Sequence, residues 1–218
     1  MSTVITATEA KTAAIKDLDI RSRYSGTSAT GTVTDSVVVA STGKGPLIEL
    51  GGPSSKLGNI VAFCTRNAVR EAINNQNESL PSRSVLERLK ERHLPIEKLA
   101  SELSKIKSLN IDEKSMIYKL TLLLKNEPLF ASILTAAMKI DDDIERKLIP
   151  CEFGGVKQLT DNFGEFLLSK KCTGTVKTAI GSAKKEDYDS INLPPFLKQA
   201  LVWMMISAPI DNTTENLK

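Results

Sequence analysis

The sequence predicts an α+β protein: an N-terminal α/β segment with a β-hairpin between two helices, followed by an all-α helical domain. Three observations carry this. Apolar side chains recur at helical spacing over residues 3–18. Runs rich in β-branched and aliphatic residues, bounded by turn formers, occupy residues 33–40 and 47–50. After a polar stretch from Asn74 to Pro81 the pattern is helical throughout. The expected parts are residues 1–78 and 79–218, and 218 residues suit one domain or two small ones.

The elements follow in order. Ala7, Ala10, Ala14 and Leu18 lie three to four apart, which is one face of a helix. A Gly/Ser/Thr-rich stretch runs from Ser22 to Thr32. Val33 to Ala40, centred on Val37-Val38-Val39, reads as a buried strand. Ser41 to Pro46 is a turn, and Leu47 to Leu50 is expected to pair back as the second strand. Ser54 or Ser55 can cap the next helix, whose apolar stripe is Leu57, Val61, Cys64, Ala68 and Ala72. Asn74 to Pro81 is the expected linker.

In the helical part, Ser84 and Glu87 form a capping box. Pro95 opens a helix carrying Leu99, Leu103 and Ile106. Asp112 caps another with Met116, Leu120, Leu123 and Leu124. Pro128 to Ile140 is a further helix, and Asp141-Asp142-Asp143 is expected to start the next, its acids complementing the helix dipole rather than holding a metal. Helices near 155–170 and 173–183 follow, then a last one after Leu193-Pro194-Pro195, where Trp203, Met204 and Met205 read as core.

Composition narrows the function classes. Hydrophobic residues are 41% and charged residues 25%, which is ordinary for a globular protein. Net charge is +3, and residues 1–82 hold 8 basic against 7 acidic side chains, so neither part is a basic platform for nucleic acid. Cys64, Cys151 and Cys172 are too few and unpatterned for a disulfide framework, and with a single His93 no zinc site is expected. They read as buried or inert thiols. No leader-like N-terminus or membrane-length apolar run is present, so a soluble cytoplasmic protein without membrane partners is expected.

Two stretches and a glycine signature resemble the adenosylcobinamide amidohydrolases: Thr6-Ala7-Thr8-Glu9-Ala10-Lys11, then Thr30 to Ala40, then Gly52-Pro53 with Leu57-Gly58 ahead of Ala68-Val69-Arg70-Glu71-Ala72. The resemblance spans about residues 3–74. It implies hydrolysis of the amide joining the aminopropanol arm of adenosylcobinamide to the corrin ring, giving adenosylcobyric acid in cobalamin salvage. It also implies that this stretch is the C-terminal half of a longer family domain. Met1 would then be a misassigned start, the start of a chain that finds the other half elsewhere, in a partner or a homo-oligomer, or the start of a remnant. A lone hairpin would leave an open sheet edge, which invites association.

Amide hydrolysis needs an acid or base and donors for the developing oxyanion. Glu9 and Asp35 are the candidate carboxylates, with Thr34 and Thr32 hydroxyls and the Gly31 N–H as candidate donors. On this reading Glu9, Asp35 and Thr34 are catalytic, and Lys11, Gly31, Thr32 and Lys56 bind a corrinoid substrate. The alternative makes Asp35 an acceptor for turn amides and Glu9 with Lys11 a solvated helix face.

The helical part resembles the archaeal α-ribazole phosphatases, which are related to phosphatidylglycerophosphatase A. The residues are Ser84 to Arg92, Asn126-Glu127-Pro128 to Ala137, and Leu193 to Leu197. That family's acidic pairs would hold Mg²⁺. Here Asp161-Asn162 and Lys198-Gln199 stand at those places, and the basic loop is reduced to Lys184-Lys185-Glu186-Asp187. No cofactor is therefore expected, with Asp161 and Mg²⁺ relevant only to a surviving phosphatase site. The alternatives to an amidohydrolase are a non-enzymatic scaffold or corrinoid-binding remnant and a residual α-ribazole phosphate phosphatase.

Overall fold

A computed structural model describes residues 2–32, 34–76, 82–150 and 190–207, with residues 158 and 162 as isolated positions. The helices expected near 155–170 and 173–183, the loop Lys184 to Asp187, and Asp161, Cys151 and Cys172 lie outside the described residues. The chain divides into two compact units, Met1–Arg83 with Glu91–His93, and Ser84–Lys90 with Leu94–Lys218.

The first unit is built on two helices that pack on each other, α1 (Ser2–Asp17) and α2 (Lys56–Gln76). α1 buries Thr6, Ala7, Ala10 and Ala14, the small-residue face its spacing predicts. The Thr6 hydroxyl lies 3.1 Å from both the Ser2 and Gly51 carbonyl oxygens, and the Gly51 N–H donates to Ser2 Oγ at 3.1 Å. Ser55 caps α2: its hydroxyl accepts from the Gly58 N–H at 3.0 Å and donates to the Gly52 carbonyl at 2.8 Å. A Cβ on Gly58 would overlap the Gly52 carbonyl, so the Gly-Pro…Leu-Gly signature is here a backbone joint that only glycine allows.

The expected stripe on α2 is not a core. Gly58 is its only buried residue, and Cys64, Ala68 and Ala72 are exposed. Cys64 is a free, exposed thiol rather than a buried one.

The expected β-hairpin does not form, and the α+β class is corrected to a helical one. Seven α-helices and no strand occur among the described residues; the one ladder contact is an isolated bridge, Arg21 to Ser28. The reason is packing. β-Propensity reports how a side chain fits a covered, pleated surface, and a two-stranded ribbon alone is marginal in water. None of the described residues covers Val37–Val39 or Leu47–Leu50: Val38 is 90% exposed and Leu47 86%. Between them the turn bonds to itself, through Ser41 with Gly43 and Thr42 with Lys44, and Gly43 and Gly45 take φ of +65° and +88°.

The second unit contains α3 (Val85–Glu91), α4 (Ile96–Ser104), a 3₁₀ turn (Lys107–Leu109), α5 (Glu113–Asn126), α6 (Pro128–Glu145) and α7 (Pro195–Ser207). Its core joins Leu89, Leu99, Leu103, Met116, Leu120, Leu134, Leu197, Leu201 and Met204, with Trp203 partly buried against them. The start signals act as the sequence suggests. Glu87 accepts from the Ser84 N–H at 2.7 Å while Ser84 Oγ accepts from the Glu87 N–H at 3.3 Å. Asp112 accepts from the Ser115 N–H at 3.1 Å, and Pro128 is the first residue of α6. Pro95 stands one residue before α4, as its cap, rather than within the first turn.

Asp141, Asp142 and Asp143 do not start a helix; they lie in the last turns of α6. Asp141 instead caps α7 from outside, accepting from the Phe196 N–H at 3.0 Å and the Leu197 N–H at 2.8 Å. At the other end of α7, Lys119 of α5 donates to the Met205 carbonyl at 3.3 Å. A carboxylate at the first turn and an ammonium at the last both complement the helix dipole.

Burial pushes the Asp141 carboxyl up to about 6, although both amide hydrogen bonds oppose the rise; neighbouring Asp142 adds to it. A carboxyl whose pKa is raised on folding stabilises the fold fully below its unfolded value, and that contribution is lost as pH climbs through the folded value. The shift corresponds to about 3 kcal/mol at most, and about 1–2 kcal/mol once partial exposure is discounted. Urea unfolding of the wild type should therefore weaken by that amount between about pH 4 and pH 7, relative to Asp141→Asn. Parallel pH profiles for the two proteins would refute the assignment.

Candidate functional site

The sequence-named residues of the first unit separate into one cluster and two outliers. Asp35 is the centre of the cluster. Its carboxylate accepts from the Lys11 ammonium, from the Thr32 N–H at 2.8 Å and from the Thr32 hydroxyl at 2.9 Å. Thr34 Oγ lies 3.4 Å from Thr32 Oγ. Thr12 Oγ donates to the Thr30 carbonyl at 3.2 Å, so consecutive residues of α1 fasten both ends of the 30–35 loop. A Cβ on Gly31 would collide with the Asp35 carboxylate and lie 2.9 Å from Lys11 Nζ. Gly31 is thus the position that leaves room for the ion pair.

Electrostatics follow from these contacts. The Lys11 hydrogen bond, then the Thr32 N–H and hydroxyl, hold the Asp35 carboxyl at about 2. It is ionised at any physiological pH. A general base works best with a pKa near the working pH, so Asp35 is a poor proton acceptor and a good anchor for a cation and a loop. Lys11, with 19% of its side chain exposed, lies against the carboxylate that the Thr32 hydroxyl also binds.

Glu9 and Lys56 are not in this cluster. Glu9 is exposed on α1 and two residues from Lys11, roughly 200° round the helix. Lys56 is exposed in the first turn of α2 and makes none of the hydrogen bonds of the Asp35 group. Among the described residues no group of three His, Cys, Asp or Glu side chains could hold a metal ion. Lys198 donates to the Ile191 carbonyl at 3.3 Å.

A second charged node went unseen in the sequence. Asp19, at φ +50°, accepts through Oδ1 from Arg21 at 2.7 Å and through Oδ2 from Arg92 at 3.0 Å. Arg83 donates to the Leu18 carbonyl at 2.5 Å and to Glu91 at 2.7 Å, and His93 Nε2 is 3.0 Å from the Arg23 carbonyl oxygen. The Arg21, Arg83 and Arg92 side chains are 3%, 6% and 9% exposed. Their partners lie up to 73 positions away, beyond any local pattern. Only the oddity of arginines beside a left-handed aspartate, itself invisible without coordinates, would have marked them.

The loop of residues 30–35 thus brings a lysine, a carboxylate and threonine hydroxyls together against α1. Residues 1–81 match the model of one hydrolase family in particular, adenosylcobinamide amidohydrolase. An uncharacterized protein of Methanocaldococcus jannaschii is 40% identical over 76 residues, which are 34% of this chain and 29% of that protein. The chain thus spans under a third of that relative's length. No solved structure matches. The family match stops at residue 81 and lends no support to a phosphatase-like second part. No described helix is long and apolar enough to cross a membrane.

Proposed function

We propose that the first unit acts on adenosylcobinamide, hydrolysing the amide of its aminopropanol arm to release adenosylcobyric acid in corrinoid salvage. The observation that carries this reading is the Lys11–Asp35–Thr32 cluster, because it lies inside the family-matched segment and is built from residues of the two stretches that resemble the family. In acyl transfer, stabilising the charge that develops on the carbonyl oxygen usually accounts for more of the rate enhancement than any other single effect. Lys11 supplies it, with Thr34 as a hydroxyl donor; Asp35, held by the Thr32 N–H and hydroxyl, keeps Lys11 and the loop in place. Glu9 and Lys56 are assigned no part in the cluster.

The test is incubation of the purified full chain with adenosylcobinamide, followed by chromatographic detection of adenosylcobyric acid. Product at a rate well above the enzyme-free control is expected. Corrinoid binding without product would assign the unit to a binding role, and neither binding nor product would remove the function altogether.

A further inference from the structure

Residues 36–50 carry six large apolar side chains in the open: Val37 at 39%, Val38 at 90%, Val39 at 49%, Leu47 at 86%, Ile48 at 58% and Leu50 at 74% exposed. Singly exposed apolar residues are ordinary, but six within fifteen positions is the kind of accumulation that marks an association surface. Among the described residues, no backbone–backbone hydrogen bond involves residues 36–50. Residues 36–40 and 47–50 are strand-forming stretches whose amides and carbonyls make no hydrogen bond among the described residues, which is the state that templates pairing with another chain.

We propose that this segment is the dimer interface of the protein, with residues 36–40 pairing antiparallel with the same residues of a second copy. Two features select a second copy as the occupant. Ser36-Val37-Val38-Val39-Ala40 carries no charge and has nearly the same pattern read from either end. A two-fold axis at Val38 sets Val37 of one copy opposite Val39 of the other, the self-complementary contact of an isologous dimer. No like charges then face each other: Asp35 comes opposite Ser41, and Thr34 opposite Thr42. The pairing would also bring the Ser41-Thr42 turn of one copy beside the Asp35 loop of the other.

Sedimentation velocity of the full chain across roughly 1–200 μM tests this. The expected result is a single species of 23.7 kDa at low concentration that moves toward twice that mass as concentration rises. Val38→Lys places two ammonium groups face to face and should weaken the dimer by at least about tenfold, with the helical circular-dichroism signal unchanged because Val38 touches little in the monomer. As a second reading, Val38→Cys in a Cys64→Ser, Cys151→Ser, Cys172→Ser background should cross-link under mild oxidation, whereas Leu122→Cys in the same background should not. A mass fixed at 23.7 kDa throughout overturns the proposal. So does a dimer that neither Val38→Lys weakens nor Val38→Cys captures.

Discussion

Replacing Lys11 with methionine should lower the conversion of adenosylcobinamide by about 10²–10³-fold, the usual loss when one preorganised stabiliser of an oxyanion is removed. Methionine keeps an unbranched stem of similar length and removes the charge. The loss should fall on kcat more than on KM, because the ammonium acts on charge that grows toward the transition state. Stability should barely move, since the pair is partly exposed. Asp35→Asn should cost less, about tenfold: the lysine keeps its charge and loses its anchor. The two variants together separate direct action from positioning. Wild-type turnover by Lys11→Met would reduce the pair to a loop fastener.

The second large effect is on folding. Asp19→Ala should destabilise the first unit by about 2–4 kcal/mol, because it leaves two nearly buried guanidinium groups without their shared carboxylate. Part of the loss, about 1 kcal/mol, comes from the left-handed backbone that aspartate tolerates and alanine does not. Asp19→Asn keeps the backbone tolerance and one acceptor, so it should retain part of the stability. Guanidinium titration of the three proteins, followed by circular dichroism, distinguishes them. Equal midpoints for alanine, asparagine and wild type would show that other partners suffice for the arginines.

Helices were readable where local signals agreed with burial. Ser84 with Glu87, Asp112 and Pro128 mark starts that the structure uses, and Leu120, Leu197 and Met204 are core because their helices are covered. The hairpin was misread because Val37-Val38-Val39 has the composition of a strand whether or not anything lies over it. Asp141 was assigned the right physical role, complementing a helix N-terminus, on the wrong helix: its amides belong to residues 55 and 56 positions further on. In the candidate site, Lys11, Gly31, Thr32 and Asp35 were legible individually through the family resemblance. That Asp35 binds Lys11 and Thr32 at once required the coordinates. Asp19 with Arg92 was illegible, since neither residue departs from an ordinary surface charge until the fold joins them.

The arginine node also bears on how such a chain could be assembled from parts. The family match ends at residue 81, yet Arg83 and Arg92, which hold Leu18 and Asp19, lie beyond it. A gene cut at the end of the recognisable sequence would encode the helices, the loop and the ion pair, but not the two side chains that secure the turn after α1. The stretch that carries the family pattern and the stretch that can be transplanted therefore differ by about a dozen residues, and recombination at the end of the match would yield a segment still needing arginines from its new neighbour.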